Sequence, residues 1–387
     1  ARSRRRPLTG TWAVIAGGGT AGHVVPGLAV ARALVDRGHP PESIHWVGSQ
    51  RGSEGRMVAG AGFEATLLPG RGIQRKLTAE NLGAAWGLTR AGGQALSLVR
   101  RRRPAVVLAM GGWASVSCAL AAVAQGVPVV VAEQNAVPGA ANRLVGRFAK
   151  ASAVPFPGTP LPRAVVTGNP VRAEILSVDR SPAGRAAARA ALGLPEGRRV
   201  VAVFGGSLGA LRLNNAVVGA LEAWAGRDDP AVRHVVGERD WSLVTGRVGE
   251  LPAGGVFYQP VRYDDQRELS LAAADLAVSR AGGNTVAELA AVGLPSVLVP
   301  LPGAPGDHQT ANARHLSDVD AAVLVADADL TAARFVAEVD GLLGDEARLA
   351  AMGKAASTAG RRDAAEAVAA LVEAHASAGR PPGGRHG

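Results

Sequence analysis

The residues of this chain that are best suited to chemistry lie in two glycine-rich turns, one in each half. Residues 17–23 read Gly-Gly-Gly-Thr-Ala-Gly-His after an apolar run, and residues 205–209 read Gly-Gly-Ser-Leu-Gly after another. Glycine lets the backbone approach an oxyanion closely, and the following helix directs unpaired N–H groups and its positive dipole end at the same point. The pair of turns therefore predicts two nucleotide-binding-type domains.

His23 is the candidate catalytic residue. It follows the first turn, close to the start of a helix that Pro26 is predicted to begin. An unperturbed imidazole titrates near physiological pH, so His23 could serve as a general base. A local role, in which the ring caps or packs against its own helix, stays open at this point.

A third constellation occupies residues 279–288, which read Ser-Arg-Ala-Gly-Gly-Asn-Thr-Val-Ala-Glu. Its order of strand, glycine pair, polar residue and helix again places backbone N–H groups at the end of a strand. Glu288 falls one helical turn after Asn284, where its carboxylate could accept both hydroxyls of a ribose. The alternative is a glutamate that caps the helix N-terminus.

Both glycine turns also match motifs of other enzyme classes. Gly17, Gly19 and Gly22 satisfy the dinucleotide-binding pattern G-x-G-x-x-G, but the second strand runs into residues 48–51, which offer no carboxylate for a ribose. The second turn matches the G-x-S-x-G elbow of α/β-hydrolases. Ser207 follows the first strand of a second domain, however, which favours a phosphate-binding hydroxyl over a nucleophile.

Strand-like and helix-like segments alternate along both halves, as in parallel sheets covered on both faces. The strands predicted in the first half are 12–16, 44–47, 65–68, 106–110, 129–132, 151–154 and 164–166. Those predicted in the second half are 200–204, 234–236, 256–258, 276–279, 296–299 and 322–325. The clearest helices are 26–37, 285–292, 311–316 and 363–376. The predicted fold class is α/β, with two doubly wound Rossmann-like domains facing each other across a cleft.

Length and composition agree with two globular domains. The chain has 387 residues, of which 47% are hydrophobic and 19% charged, and single cores stop growing beyond about 250–300 residues. We predict a flexible basic N-terminus at 1–10, an N-terminal acceptor domain at 11–170, a C-terminal donor-binding domain at 171–360, a C-terminal helix at 361–377 and a disordered tail at 378–387. The single cysteine, Cys118, excludes a disulfide framework and is expected to be a small apolar helix residue.

The charge balance is basic, with 42 Lys and Arg against 32 Asp and Glu, and basic residues cluster at 2–6 and 100–103. Aromatic side chains that could stack on bases make up only 4% of the chain, which disfavours nucleic acid and favours an anionic membrane surface or a solvated face. Glycines and Pro128 interrupt the uncharged run 105–132, so it is predicted as strand, helix and strand rather than a membrane span. We expect the protein in the cytoplasm or peripherally bound to the membrane.

A candidate membrane-contacting segment follows the third predicted strand. It interleaves cations with four apolar residues, namely Ile73, Leu77, Leu82 and Trp86 among Arg71, Arg75, Lys76 and Arg90. Leu82, Trp86 and Arg90 recur every four residues, as on one face of a helix. Apolar side chains ringed by cations can insert into a bilayer interface while the cations pair with anionic lipid. An amphipathic helix packed on its own domain is the alternative.

Taken together, the motifs resemble those of the MurG family of bacterial glycosyltransferases. The matching segments follow the family's order over nearly the whole chain, with Gly-Gly-Thr-Ala-Gly-His at 18–23, Gly-Gly-Trp-Ala-Ser at 111–115, Glu-Gln-Asn at 133–135, Gly-Asn-Pro-Val-Arg at 168–172, Gly-Gly-Ser-Leu-Gly-Ala at 205–210 and Asp-His-Gln at 307–309. Their joint occurrence is far more specific than any one motif. The family adds GlcNAc to the lipid-linked muramyl-pentapeptide precursor of peptidoglycan.

The resemblance implies a GT-B fold and an inverting transfer from UDP-GlcNAc to the 4-hydroxyl of MurNAc in lipid I, at the cytoplasmic face of the membrane. It implies that His23 is the base and that no cofactor or metal takes part. The implied donor contacts are Thr20, Ala21, Gly22, Asn135, Arg172, Ser207, Gly283, Asn284, Thr285, Val286, Ala287, Glu288 and Gln309. Residues 283–288 would hold uridine and ribose, Gln309 the donor sugar, and residues 263–265 the uracil. Arg172 and helix N-termini would meet the charge on UDP.

Two residues depart from the family's pattern. Ala21 stands where a glycine is common, which a right-handed helical or extended backbone tolerates, and Ala132 stands where many members have histidine. That histidine therefore cannot be an essential base in this protein. The D-x-D segments at 318–320 and 327–329 superficially look like metal motifs and are interpreted as solvated turns.

Three other functions remain open on the sequence. A GT-B enzyme that acts on another lipid or natural-product acceptor is the nearest, because donor motifs say less about acceptors. A UDP-GlcNAc 2-epimerase-like enzyme shares the fold but needs different catalytic carboxylates. A non-catalytic nucleotide-sugar-binding module is disfavoured because the polar residues of the motifs are all retained.

Overall fold

The computed structural model describes residues 10–50, 54–69, 80–206, 209–248 and 255–377, with side chains omitted for 80–89. The chain divides into two compact units. One unit contains the chain up to Arg172 together with the segment that begins at Asp363, and the other is Ala173–Arg362. The predicted tail 378–387 and all but the last residue of the predicted N-terminus 1–10 lie outside the described residues.

The first unit is a parallel sheet with helices on both faces. Its strands are β1 Ala13–Gly17, β2 Ile44–Ser49, β3 Glu64–Leu68, β4 Val106–Gly111, β5 Val129–Ala132, β6 Ala151–Val154 and β7 Ala164–Val166. Its first five helices are α1 Ala21–Asp36, α2 Glu54–Gly60, α3 Glu80–Arg102, α4 Trp113–Ala124 and α5 Ala140–Gly146. Among the described residues the strand order is β3-β2-β1-β4-β5-β6-β7.

The second unit repeats this plan. Its strands are β8 Arg199–Phe204, β9 Pro230–Val235, β10 Phe257–Val261, β11 Leu276–Ser279, β12 Ser296–Leu298 and β13 Ala322–Leu324, in the order β10-β9-β8-β11-β12-β13. Its helices are α6 Ala173–Leu176, α7 Pro182–Ala191, α8 Leu211–Ala223, α9 Trp241–Val248, α10 Arg267–Ala273, α11 Gly283–Val292, α12 His308–Ser317, α13 Ala332–Leu343 and α14 Glu346–Ala359. Short 3₁₀ helices occur at Pro41–Ser43, Pro305–Asp307 and Asp327–Asp329.

The central strands of both sheets are buried on both faces, which explains why they are nearly continuous apolar runs. Along β1, Ala13 and Ile15 belong to the cluster on one face of the sheet, whereas Val14 and Ala16 belong to the cluster on the other. Cys118 lies in α4 within the second of these clusters, and burial raises the pKa of its thiol to about 12. The expectation of a small apolar helix residue is confirmed.

The predicted start of the first long helix is wrong. We expected it to begin at Pro26, whereas α1 begins at Ala21 and contains Pro26 in its second turn. A proline there removes one backbone donor, and α1 offsets this by burying much of one side. Gly27 lies so close to Trp46 that a Cβ would come 2.7 Å from the indole. Because α1 begins at Ala21, both Ala21 and His23 belong to the first turn of the helix.

The last helix, α15 Ala364–His375, packs on the first unit. Val368 and Val372 are fully buried in the same cluster as Ile15. At its C-terminal end Glu373 accepts hydrogen bonds from Arg37 at 2.6 and 2.9 Å. Among the described residues, no helix of the protein combines the length and the apolarity that a membrane span requires.

Candidate active site

Each sheet has one point at which the strand order reverses. In the first unit this point lies between β1 and β4, and in the second between β8 and β11. Ligands of doubly wound sheets bind beyond the carboxyl ends of the strands at such points. The two glycine turns follow β1 and β8, and the segment 279–288 begins at the end of β11. The three predicted constellations therefore lie where this architecture places ligands.

In the first turn, one residue has a backbone conformation that favours glycine. Gly19 has a φ of +92°, while Thr20 is extended and Ala21 begins α1. Right-handed helical backbone accommodates any side chain, so the alanine at position 21 is compatible with this turn. Thr20, Ala21 and Gly22 are all exposed to solvent at the start of the helix.

His23 is held at one edge of its ring by this turn. Nδ1 lies 3.2 Å from the carbonyl oxygen of Gly18 and 3.3 Å from the hydroxyl of Thr20. Because a carbonyl only accepts, this contact favours the tautomer with the proton on Nδ1 and the lone pair on Nε2. Burial lowers the pKa of His23, while the charge of Glu133 and the Gly18 carbonyl oppose that shift. A neutral imidazole with its lone pair on Nε2 is the form that a general base needs.

The Nε2 edge of the ring packs against the turn that follows β4. A Cβ on Gly111 would lie 2.9 Å from Nε2 of His23, and one on Gly112 would collide with the carbonyl oxygen of Gly18. Both residues also have positive φ, +111° and +80°. The Gly-Gly pair at 111–112 is therefore required by the close approach of β4 to the first turn.

We expect Gly111→Ala to lower kcat by roughly 10²-fold, because the new methyl group displaces the imidazole and a misplacement of about 1 Å can cost that much. Gly126→Ala is the matched control, since Gly126 has a φ of +72° but open space around a Cβ. Steady-state transfer rates and thermal unfolding are measured for both variants. Equal losses of activity in the two would show that backbone strain, rather than contact with His23, is responsible.

A buried glutamate organises the loop after β5. Oε1 of Glu133 accepts hydrogen bonds from the N–H groups of Gln134 and Asn135, both at 3.0 Å, and Oε2 accepts from Gly139 and from the Asn142 amide at 3.1 and 2.9 Å. The Asn135 side chain donates to Glu133 at 3.2 Å. Asn135 is thus fixed close to the carboxylate that acts electrostatically on His23. Glu133 was quoted in the motif but not predicted as a site residue.

Two further positions complete the first unit. Ala132, at the position of the family's histidine, is buried, and its carbonyl accepts from Gln134 and Asn142 at 2.9 and 3.2 Å. Arg172 is half-buried and follows β7 as the last residue of this unit before the chain enters the second unit. Its implied role toward the diphosphate stays a prediction.

Gly209, the last glycine of the second turn, lies against a buried aspartate, Asp240. Gly206 and Gly209 have φ values of +94° and +88°, and a Cβ on Gly209 would lie 2.7 Å from Oδ2 of Asp240. Asn214 of α8 donates to the same Oδ2 at 3.0 Å. Ser207 lies outside the described residues, so its phosphate-binding hydroxyl stays a prediction.

Asn214 connects this turn to a histidine in the core. The amide oxygen of Asn214 lies 2.9 Å from Nε2 of His234, and the Tyr258 hydroxyl lies 2.9 Å from Nδ1. Burial lowers the pKa of His234 from its ordinary 6.5 to about 3. His234 is therefore neutral in the folded protein over the whole physiological range.

We expect the second unit to lose stability in mild acid. Between pH 6.5 and 3 the unfolded chain binds a proton at His234 that the folded chain does not, so stability is complete above pH 6.5 and falls as the pH is lowered. From pH 6.5 to 5 the loss attributable to His234 is about 2 kcal/mol. Urea unfolding at pH 7 and pH 5 measures this loss. The difference in unfolding free energy between the two pH values should be smaller for His234→Gln than for the parent. Identical differences would contradict the assignment.

Glu288 lies in the second turn of α11, which begins at Gly283. It is 9% exposed, and its Oε2 accepts a hydrogen bond from Nε of Arg267 at 3.0 Å. The Arg267 guanidinium stacks on the ring of Phe204, with its central carbon 3.6 Å from the ring centroid. Arg267 was missed by the sequence analysis, since it belongs to a different helix and no spacing relates it to Glu288.

Gln309, in α12, stabilises the segment that precedes α11. Its side-chain carbonyl accepts the N–H groups of Ala281 and Leu301 at 3.2 and 2.9 Å, and Asn312 donates to the Ala281 carbonyl at 3.1 Å. Ala281, two residues before α11, is therefore held from α12, which leaves the Gln309 amide group as the end that could meet a ligand.

The interpretation of 327–329 as a solvated turn is wrong for Asp327. Its Oδ1 lies 2.6 Å from a guanidinium nitrogen of Arg280, and its Oδ2 lies 3.0 Å from Nε of Arg212. The Asp327 side chain is only 12% exposed. Asp318 and Asp320, in contrast, are exposed as expected. Arg280, directly after β11, and Arg212, in the first turn of α8, thus share one carboxylate, a non-local pairing that the D-x-D spacing does not reveal.

Two parallel-sheet α/β units, each with a glycine turn at its switch point, have the architecture of the GT-B fold, which is found among glycosyltransferases. The family comparisons agree, since residues 13–154 match the glycosyltransferase family 28 N-terminal domain and residues 200–368 match its C-terminal domain. The chain belongs to this family, and within it to the MurG family.

The MurG membership rests on curated relatives and a solved structure. The UDP-N-acetylglucosamine–N-acetylmuramyl-(pentapeptide) pyrophosphoryl-undecaprenol N-acetylglucosamine transferase of Desulforudis audaxviator is 39% identical, over 95% of this chain and 99% of its own. The transferase of the same name from a Nocardioides species is 44% identical, over 93% and 96%. The crystal structure of Acinetobacter baumannii MurG superposes with a TM-score of 0.72 at 28% identity, covering 94% of this chain and 99% of its own.

Proposed function

We propose that this protein transfers GlcNAc from UDP-GlcNAc to the 4-hydroxyl of MurNAc in undecaprenyl-pyrophosphoryl-MurNAc-pentapeptide, lipid I, and so forms lipid II for peptidoglycan synthesis. The observation that carries the proposal is the identity of 39 and 44% to transferases of that name over at least 93% of the chain. The retained polar residues at both switch points support it, because a binding module would have no use for a base at His23.

In the proposed reaction, the chain's own residues bind the donor and move one proton. The 4-hydroxyl oxygen of MurNAc attacks the anomeric carbon of GlcNAc as the bond to UDP breaks, which inverts that centre. The hydroxyl proton passes to Nε2 of His23, while the proton on Nδ1 remains bound to that nitrogen and is donated in a hydrogen bond to the Gly18 carbonyl. UDP leaves with the electron pair of the broken bond, and N–H groups at helix N-termini together with Arg172 oppose its charge.

The donor is proposed to bind mainly to the second unit. Glu288, held by Arg267, would accept the ribose hydroxyls, residues 263–265 would lie at the uracil, and Gln309 would meet the sugar. The peptide groups of residues 283–287 and the Ser207 hydroxyl would complete the donor contacts. In the first unit, Thr20, Ala21, Gly22 and Asn135 would lie toward the reacting end of the donor.

Release of UDP is the decisive measurement. UDP formation from UDP-GlcNAc should depend on added lipid I and yield lipid II, detected by mass. Turnover with a different polyprenyl or natural-product acceptor, but not with lipid I, would favour the other GT-B function. Formation of UDP or a changed sugar without any acceptor would point to an epimerase-like reaction.

We further propose that the first unit binds an anionic membrane surface, which would bring the enzyme to its lipid-linked acceptor. Ile73 and Leu77 lie outside the described residues, and Leu82 and Trp86 belong to α3 in a part whose side chains are not described. Support comes from α5 and the residues after it. Leu144 and Phe148 are 40% and 51% exposed, and they alternate with exposed cations, Arg143, Arg147 and Lys150. This mixture is suited to an anionic bilayer interface.

We expect the parent protein to sediment with vesicles that contain anionic lipid, less so at high salt, because each cation near the surface contributes about 1 kcal/mol. The double variants Leu77→Glu/Trp86→Glu and Leu144→Glu/Phe148→Glu should both bind more weakly while still glycosylating a soluble acceptor analogue. Leu243→Glu is the control, since Leu243 is 51% exposed in the second unit. Sedimentation of a double variant at the parent's level would exclude that surface from docking.

A further inference from the structure

Glu54 is a buried carboxylate that the reaction described above does not use. It begins α2 and is 3% exposed. Its Oε2 accepts the N–H of Gly19 at 2.7 Å, and its Oε1 accepts the N–H of Ser49. Burial raises the pKa of Glu54, whereas these two hydrogen bonds lower it. A carboxylate taken out of water persists only where donors meet its oxygens, so both oxygens are committed to the backbone.

The neighbouring glycines are fitted to this carboxylate. A Cβ on Gly18 would lie 2.6 Å from both Oε1 and Oε2, and a Cβ on Gly48 would collide with Oε1. In a phosphate-binding turn the N–H of a residue such as Gly19 would point at the ligand. Here that N–H already donates to an internal anion, the Glu54 carboxylate.

The Gly18–Gly19 peptide group joins Glu54 to His23. Its N–H donates to Glu54, and its carbonyl oxygen lies 3.2 Å from Nδ1 of His23. The peptide is planar and rigid, so a hydrogen bond that fixes its N–H also fixes the direction of its carbonyl. A negative acceptor at the N–H makes the carbonyl a stronger acceptor in turn, because hydrogen bonds in a chain polarise one another.

We propose that Glu54 is a positioning residue for His23 that acts through the Gly18–Gly19 peptide group. The first glycine turn would then orient the imidazole rather than bind a phosphate. Glu54 keeps the Gly18 carbonyl aimed at Nδ1, and this holds the proton on Nδ1 and the lone pair on Nε2. The proposal rests on the role of His23 in the proposed function.

Glu54→Gln is the first test. A glutamine offers one accepting oxygen where two N–H groups need acceptors, and it carries no charge. We expect kcat to fall about 10- to 100-fold, in line with the loss of an outer-shell partner of a histidine. The affinity for UDP, measured by calorimetry, should stay within about twofold of the parent's, because the substitution leaves the groups proposed to bind the nucleotide unchanged. Glu54→Asp, which keeps the charge, should restore part of the rate.

The titration of His23 is the readout that a merely structural role would not move. A weaker Gly18 acceptor and a lost negative charge both disfavour the imidazolium, so the pKa of His23 should fall in Glu54→Gln. The charged group that acts on His23 among the described residues is Glu133, which the variant leaves in place. Nitrogen-15 NMR of the imidazole measures this shift without any transfer reaction. If lipid I is not a substrate, the proposed function fails while this measurement still decides the role of Glu54.

Glu42→Gln is the matched control, because Glu42 is an exposed carboxylate in the 3₁₀ helix that precedes β2. Gly18→Ala tests the contact from the other side, since its methyl group must displace the carboxylate. The loss of kcat caused by Gly18→Ala should be much smaller in a Glu54→Ala background than in the parent. The proposal would be overturned by an unshifted His23 pKa, by a rate within twofold of that of Glu42→Gln, or by losses of kcat that are additive for Gly18→Ala and Glu54→Ala. Tighter UDP binding in Glu54→Gln would do so as well, because it would identify the turn as a phosphate site.

Discussion

His23→Ala is expected to lower kcat by about 10²- to 10⁴-fold while the affinity for UDP-GlcNAc stays within about twofold. Proton transfer by a positioned side chain typically contributes that factor, and removal of the base leaves donor binding to the second unit unaffected. The parent's kcat should fall on the acid side with an apparent pKa below the ordinary imidazole value, because burial lowers the pKa of His23. The variant should lack this acid limb.

His375→Ala is the control for this experiment, since His375 ends α15 and has no place in the proposed reaction. A loss of UDP-GlcNAc affinity as large as the loss of rate would make His23 a diphosphate contact. Activity within twofold of the parent's would remove it from the mechanism.

Glu288→Ala is expected to weaken UDP-GlcNAc binding by about 1–3 kcal/mol, which is the cost of losing a hydrogen bond to a charged group. Calorimetry with UDP-GlcNAc measures this, and thermal unfolding reports the separate effect on Arg267, which would lose its carboxylate partner. Glu222→Ala is the matched control, because Glu222 forms a surface ion pair with Arg247 in the same unit, and such pairs contribute little.

A ligand lacking one hydroxyl separates a ribose contact from reorganisation of Arg267. The penalty of Glu288→Ala should shrink when 2′-deoxy-UDP replaces UDP, because the carboxylate then has one hydroxyl fewer to bind. An equal penalty for both ligands would mean that Glu288 acts through Arg267 and its stacking on Phe204. An unchanged affinity for UDP-GlcNAc would count against the assignment altogether.

Much of the fold could be predicted because its signals are local. The strands 129–132, 151–154, 164–166 and 276–279 have the bounds expected from their apolar runs. Buried parallel strands are continuous apolar segments, and turn residues mark where they end. The helix that begins at Ala21 rather than Pro26 shows the limit of this reasoning, because helix ends depend on what the first turn packs against as well as on the proline.

The candidate site likewise has features that the sequence reveals and features that it does not. The sequence by itself determined which segments are candidates for chemistry, since glycines, His23 and Glu288 stand at fixed positions beside strands and need no partner to be recognised. It also determined the family, because a series of motifs in order is readable along the chain. Only the tertiary structure decided what those residues touch. Glu54 on the Gly18–Gly19 peptide, Arg267 on Glu288 and Asp327 between two arginines are contacts between distant segments. No periodicity encodes them, because they arise from the way strands and helices pack.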